Sequence, residues 1–449
     1  MGMPSPLTIE IPPAAMRVLD VLEAGGYAAY VVGGCVRDAL SGSEPHDWDI
    51  TTNARPAQVE ECLRAAGIPV VETGIAHGTV SAIIGHEPYE VTTFRAEGAY
   101  SDCRHPDAVS FIDDIEGDLL RRDFTVNAMA YSPTRGLVDT TGGRADLAAG
   151  LLRTVGPAHE RFAEDALRIL RALRFAAERG LSIEPETARA LHEDRGLLSQ
   201  VAAERLEMEF RRIICGEFST DALLEYADVV AAFIPQMADC IGFDQRNPHH
   251  MYTVWEHMVR AASFAPRDPV MRYAVLFHDI GKPATFFVGE DGCGHFYGHR
   301  EAGAEIFHGL ARDLRIPRRQ ANHAELLIRY HDANLPTTKK GLRRWIVKFG
   351  EETMRELLVV HRCDIQALDR SEVEAALANM DAYDAFFSDV LSGMKVFGMR
   401  DLAVDGHDLM AAGVEAGPAV GEALRACLQA VVDGEVANER GALLDYVTR

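Results

Sequence analysis

The sequence predicts an α+β protein, with a head of mixed strands and helices to about residue 150 and an almost wholly helical remainder. Three observations predict this. Segments with β-branched content and alternating polarity fall near 48–52, 69–73, 79–85 and 89–94. From about residue 158 onward, apolar residues recur at three- and four-residue spacing, as in FAEDALRILRALRFAAERG and VAAERLEMEFRRIIC. The 449 residues exceed the roughly 250–300 at which a single core stops growing, so two to four domains are expected.

In chain order, 14–26 (AAMRVLDVLEAGG) reads as a helix ended by glycine, 28–33 as a buried strand running into a turn, and 56–66 as a helix. Pro/Gly punctuation near 242–248, 281–298 and 335–341 marks loops, and no repeating period is visible. The expected domains are a head (1–150), a helical neck (151–215), a helical body (216–400) and a helical tail (401–449).

Composition excludes several classes of function. Apolar residues at 47% and charged residues at 25% belong to a globular chain with a sizeable core. The runs AAYVVGGCV and TVSAIIG are too short for a membrane helix. The start, MGMPSPLTIEIPP, has no secretory pattern, so a cytoplasmic protein is expected. Eight cysteines without a CxxC pair argue against a zinc ribbon or a disulfide framework. The net charge of −23 argues, taken alone, against a nucleic-acid partner. Of the 45 basic residues, however, five are lysines and forty are arginines, the better phosphate fork.

Chemistry concentrates near the N-terminus. In YVVGGCVRDAL (30–40), a hydrophobic strand runs into Gly33-Gly34, where missing Cβ atoms let backbone N–H groups approach an anion. Arg37 lies one helical turn beyond, in place to clamp a phosphate. In HDWDITT (46–52), Asp47 and Asp49 are two residues apart on an expected strand and project from one face. Such like charges call for a cation, and hard oxygen ligands favour Mg²⁺. An isolated DxD reads more simply as a solvated acidic turn, but glycine turn, arginine and DxD within twenty residues favour a metal centre. Glu90, in PYEVTTF, is either a third carboxylate or an exposed strand glutamate.

GGCVRDAL followed by DWDITT closely resembles the signature of class II tRNA nucleotidyltransferases, the CCA-adding enzymes, and of their relatives the bacterial poly(A) polymerases. TTFRAEGAYSDCRHPDAVSF (92–111) resembles the family's flexible loop segment. LLRRDFTVNAMAY (119–131) resembles its second motif, with Arg122 on the nucleotide, and LVDTTGGRADL (137–147) its head–neck hinge, with Asp139 in the motif position. EDALRILRALRF (164–175) resembles the nucleotide-selecting motif and VAAERLEMEF (201–210) its supporting helix.

The resemblance implies a DNA polymerase beta-like mixed-sheet head that adds CMP, CMP and AMP to the tRNA 3′ end from CTP and ATP. Asp47 and Asp49 would be catalytic and hold Mg²⁺, with Gly33, Gly34, Arg37 and Arg122 at the triphosphate. Spacing by three places Asp165, Arg168, Arg171 and Arg174 along one side of a helix, with Leu167, Ile169, Leu170 and Leu173 on the buried side. Asp165 and Arg168 can read a base edge, with Arg171 and Arg174 nearer the triphosphate; a charged helix face is the plainer alternative. The arginine-rich neck helices, 161–179 and 205–212, are the candidate RNA surface.

Four His-Asp dipeptides occur (46–47, 278–279, 331–332, 407–408), so one such pair says little. YTVWEHM with His257, LFHDIGK with His278-Asp279 and FYGHREAG with His299 together resemble the HD metal-dependent phosphohydrolase domain. That resemblance implies a second divalent-metal site of His257, His278, Asp279, His299 and Asp364, with His323 and His331 as further ligands, or a retained fold with an idle site. The segment 402–439 resembles the tail of CCA-adding enzymes that carry an HD domain, expected to hold tRNA. A strongly basic extension like that of poly(A) polymerases is missing, so poly(A) addition and phosphohydrolysis stand as alternatives. The loop at 92–111 argues for the whole CCA rather than CC alone; oligomeric state stays open.

Overall fold

The computed structural model describes residues 8–74, 78–97, 109–247, 251–290, 292–368 and 370–448. The chain divides into two compact units, Met1–Pro235 and Gln236–Arg449. Among the described residues, no helix is long and apolar enough to cross a membrane. Seven described cysteines are free.

The first unit begins α1 (Pro13–Ala24), β1 (Ala29–Val32), α2 (Gly34–Leu40), β2 (Ile50–Thr52), α3 (Pro56–Ala65), β3 (Val70–Gly74), β4 (Thr79–Ile84) and β5 (Glu87–Thr93). A small ribbon, β6 (Arg95–Glu97) and β7 (Val109–Phe111), then α4 (Ile115–Leu120), β8 (Ala130–Ser132), β9 (Gly136–Val138) and α5 (Gly143–Ala148) complete the head. Residues 98–108 of the expected loop segment lie outside the described residues. Over the expected neck lie β10 (Leu151–Leu152), α6 (Ala158–Glu164), α7 (Leu167–Arg179), β11 (Ser182–Ile183), α8 (Pro185–Asp194) and α9 (Ala203–Cys215); α10 (Ser219–Glu225) and α11 (Ala227–Phe233), beyond its expected bound at 215, complete the first unit.

Seven strands form one sheet in the order β3-β4-β5-β2-β1-β8-β9, with β2 and β5 parallel. The central strand β1 is buried throughout because both its faces are covered. Val31 packs with Val18, Leu19 and Leu22 of α1 and with Ile50 and Leu63. Tyr30 and Val32, one residue out of phase, pack with Phe94, Leu119 and Val155 on the other face. Each such aliphatic side chain contributes about 1.5–3 kcal/mol by leaving water.

Two local expectations are corrected. Asp47 and Asp49 precede β2 rather than lie inside it, although Asp49 C=O already accepts the Val32 N–H at 3.0 Å. The arginine-rich segment is two helices, and Asp165 stands in the break at φ −140° and ψ 103°. Its Oδ1 accepts the Leu167 N–H at 3.1 Å, a local bond with which an aspartate competes against helix continuation.

Neck and head are joined by ion pairs. Arg171 donates to Asp123 Oδ2 through Nε (2.9 Å) and Nη2 (2.5 Å). Asp123 Oδ1 accepts from Asn127 Nδ2 at 3.2 Å, and Asn127 Oδ1 accepts from Arg37 Nη1 at 2.5 Å. Asp38 closes the chain, bound by Arg37 and by Arg179 of α7 at 2.9 Å.

The second unit contains α12 (Val254–Phe264), α13 (Pro269–Leu276), α14 (Lys282–Thr285), a ribbon of β12 (Phe287–Val288) and β13 (Gly294–His295), α15 (His299–Asp313) and α16 (Arg318–Tyr330). It continues with α17 (Lys339–Phe349), α18 (Glu351–Gln366), α19 (Arg370–Ser392), α20 (Gly406–Ala411), α21 (Pro418–Asp433) and α22 (Arg440–Val447). The segment 281–298, read from sequence as loop, carries a helical turn and this antiparallel ribbon, whose strands are too short for a periodicity to show. The last three helices share a core of Leu409, Cys427 and Leu443.

Burial opposes the Asp123 charge, but Arg171 holds its carboxyl at about 2 against an ordinary 3.8. A depressed folded-state value contributes stability that is present above about 4 and lost as pH falls through about 2. Asp123→Asn is therefore expected to cost about 2 kcal/mol in urea unfolding at pH 7, with the gap to wild type narrowing on acidification.

Candidate active site

Gly33 ends β1 at φ +79°, a conformation that side chains rarely adopt. A Cβ there would meet Arg122 Nη1 at 3.0 Å, so the turn and the arginine share one space. The Gly33 N–H is already bonded to Met129 C=O at 3.0 Å, which leaves anion contact to the backbone that follows. Gly34 opens α2. Arg122 is held by the fully buried Asp118, Nη2 to Oδ2 at 3.2 Å, and Arg121 holds the other oxygen at 2.8 Å. Burial would raise the Asp118 carboxyl, but Arg122 and Arg121 together keep it below its ordinary value. Sequence reading missed Asp118 because an aspartate on a short helix gives no sign of its burial.

The carboxylates gather by strand register. Ile50 and Val91 are partners in the parallel pair β2–β5 and both point into the core. Asp49, just before β2, and Glu90 of β5 each precede one of these partners and so project to the opposite face, while Asp47 lies in the segment leading into β2. All three are exposed. Although the Asp49 side chain keeps contact with solvent, desolvation by the surrounding cleft pushes its carboxyl up, Glu90 pushes it further, and Arg122 pulls it down. Asp49 thus feels both Glu90 and Arg122, while Glu90 itself is an exposed strand glutamate. Oxygen donors that repel one another fit a hard divalent cation.

The arginine ladder faces carboxylates throughout. Arg168 is buried, donating through Nη1 to Glu164 at 2.5 Å and through Nη2 to the Arg121 C=O at 3.3 Å. Arg171 takes Asp123, as above, and Arg174 takes Glu209 of α9 at 2.9 Å. Arg161, Arg211 and Arg212 are likewise paired, with Glu164, Glu207 and Glu178. The neck arginines expected to form an RNA surface are thus largely neutralised by their neighbours. Asp165 is held by Arg205 Nη2 at 3.1 Å, a partner forty residues away that sequence reading missed. Arg37 faces inward, bound to Asp38 and Asn127, rather than outward as a clamp. Asp139 caps α5 by accepting the Gly143 and Arg144 N–H groups at 2.7 and 2.9 Å.

The second unit holds a separate cluster. His257 Nε2 lies 3.2 Å from His278 Nε2 and 2.9 Å from Asp364 Oδ1. Asp279 Oδ2 is 3.2 Å from His278, while its Oδ1 is 3.6 Å from His299 and 3.5 Å from His331. Among the described residues, two trios keep their ligand atoms within 4.8 Å, His257/His278/Asp279 and Asp279/His299/His331. His278, His299 and His331 each donate Nδ1–H to a backbone carbonyl (Val275, Phe296 and Ile328), which turns Nε2 to the centre. Lys282, missed from sequence, donates to Asp279 Oδ2 at 2.6 Å. Burial would lower His278, but Asp279, with Asp364 beside it, raises it to about 10. His323, a candidate ligand by sequence, pairs with Glu356 instead. The donor set fits one or two divalent metals.

Four family models match: the poly A polymerase head domain (29–153), an RNA- and SrmB-binding site of polymerase A (180–241), the HD domain (249–372) and tRNA nucleotidyltransferase domain 2 (348–447). The chain is 32% identical over 435 residues to a CCA-adding enzyme of Lactiplantibacillus plantarum, covering 96% of this chain and 95% of that one. The chain belongs to the CCA-adding enzyme family. A CCA-adding enzyme of Latilactobacillus sakei is 42% identical over 226 residues, covering 50% of this chain and 56% of that one. The solved CCA-adding enzyme of Bacillus stearothermophilus, in complex with CTP, superposes with a TM-score of 0.72 at 28% identity, covering 97% of each chain. Membership makes the chain a tRNA nucleotidyltransferase, a class that implies a divalent metal.

Gly33→Ala is expected to lower CMP incorporation at least about tenfold, since the left-handed backbone costs about 1–2 kcal/mol and the new Cβ displaces Arg122. Single-turnover incorporation of labelled CTP measures it. Asp279→Ala is expected to abolish manganese uptake by the second unit, read as metal per chain after gel filtration, while CMP incorporation persists.

Proposed function

We propose that this chain completes tRNA 3′ ends in the cytoplasm by adding CMP, CMP and AMP from CTP and ATP, with pyrophosphate released. The observation that carries the reading is Asp49 in the field of Glu90, Arg122 and Asp47, with Arg122 packed against the glycine turn. Asp47 and Asp49 would hold magnesium, with Glu90 adding charge. Bound there, magnesium supplies neutralisation of the triphosphate and a more acidic attacking hydroxyl. Arg122, pinned by Asp118, orients the phosphates without having to reorganise.

Base choice falls to Asp165, held in place by Arg205. Its carboxylate accepts only hydrogens, so it takes the exocyclic amine of cytosine or adenine and repels the carbonyl that uracil and guanine present in its place. Arg168 would complete the edge by exchanging part of its Glu164 contact for the base. Arg37, Arg171 and Arg174 act behind this surface, stiffening turn and helix rather than touching phosphate.

A second activity is favoured by the cluster around Asp279, where the imidazole Nε2 atoms and two carboxylates converge as a phosphohydrolase site would need. Bound there, manganese or a transition metal supplies an activated water.

The polymerising centre is tested by Asp47→Asn and Asp49→Asn. Each is expected to reduce CMP incorporation into tRNA ending before CCA by at least about a thousandfold, with the melting temperature preserved. Near-normal incorporation in either would refute the assignment.

A further inference from the structure

In the second unit, Phe287 and His295 are cross-strand partners on the β12–β13 ribbon, and Tyr297, in the turn that follows, sets its ring against both. The three rings form a closed triangle, with Phe287 and Tyr297 5.5 Å apart at 46°. Phe287 and His295 stack with centroids 5.4 Å apart and planes at 28°; His295 and Tyr297 follow at 5.7 Å and 20°. Phe287 is 44% exposed and Tyr297 77% exposed. The exposed side of Tyr297, backed by Phe287 and His295, offers a seat to another flat π system.

Position identifies the chemistry of the occupant. His299 opens α15 two residues after Tyr297, and its Nδ1 donates to the Phe296 C=O at 2.9 Å. Tyr297 is therefore at most about 7 Å of backbone from a member of the His/Asp cluster. Lys282, bonded to Asp279, lies over the Phe296 ring at 5.3 Å. Imidazoles, an ammonium and a metal-binding cluster suit a phosphate; adjacent ring faces suit a base. A nucleoside phosphate carries both.

We propose that Phe287, His295 and Tyr297 form a base-stacking platform that seats an unpaired nucleobase, its phosphate directed to the His/Asp cluster. The direction of the phosphate rests on the metal-binding reading of that cluster; the stacking does not. A free mononucleotide and the terminal nucleotide of an RNA share this chemistry.

Two fluorescent probes test the platform on the full chain in EDTA, 2-aminopurine riboside 5′-monophosphate and a single-stranded RNA trinucleotide ending in 2-aminopurine. Stacking quenches each probe, and the head's nucleotide site contributes equally to wild type and variants. Tyr297→Leu and Phe287→Leu, which keep apolar bulk without a ring face, are expected to weaken quenching affinity at least about tenfold. Tyr297→Phe should stay within about twofold of wild type. The tighter probe identifies the source of the base. No saturable quenching by wild type, or equal affinity in Tyr297→Leu, overturns the proposal. Hydrolysis of 5′-AMP by the manganese-loaded wild type is read separately; its absence alongside Tyr297-dependent quenching would reject the hydrolytic reading of the cluster and leave the platform standing.

Discussion

Arg122 occupies the space in which a side chain at residue 33 would begin, and much of the head serves to keep it there. Asp118, with no exposed surface, fixes its guanidinium from behind, and α4 supplies that aspartate. β1 delivers the glycine turn to the guanidinium, and the β2–β5 register brings Asp49 and Glu90 into its field. A fixed positive charge facing carboxylates that call for a metal is suited to a triphosphate, which carries negative charge and brings its own cation. Replace Gly33 and the arrangement loses its closest approach; replace Asp118 and a half-buried cation loses its counter-charge.

The neck extends the same logic from charge to shape. Asp38, Arg37, Asn127, Asp123 and Arg171 form one continuous chain of hydrogen bonds from α2 to α7 and back through Arg179. Buried pairs of this kind add little net stability compared with apolar packing, but each needs its partner in one geometry. Their value lies in registering α7 against the head. Asp165, in the break before α7, is then presented at a fixed height, and Arg205 from α9 prevents it from turning away.

Much of this was legible in the residues. The run YVVGG announced a buried strand and tight turn, whereas the strand expected to carry Asp47 and Asp49 begins only at Ile50. Glu90 stayed ambiguous because its role depends on a strand register set forty residues away by core packing. The arginine stripe was visible but its meaning was not, since Asp123, Glu209 and Arg205 are partners only in three dimensions. Helical periodicity also runs smoothly across Asp165, because one local side-chain bond breaks the helix without disturbing the apolar pattern. In the second unit the His-Asp resemblance located the cluster, whereas Lys282 and the aromatic ribbon lay hidden in a stretch that glycine and proline made look like loop.

In the proposed roles, Asp165 and Arg168 stand in for a template while two cytidines and then an adenosine are added. That arrangement is tested most directly by sequencing what the purified chain adds to a tRNA ending before CCA when CTP and ATP are both present. The account predicts CCA followed by a stop, and addition of C but no terminal A when ATP is withheld. A homopolymeric A tail, or equal incorporation from UTP and GTP, would contradict it.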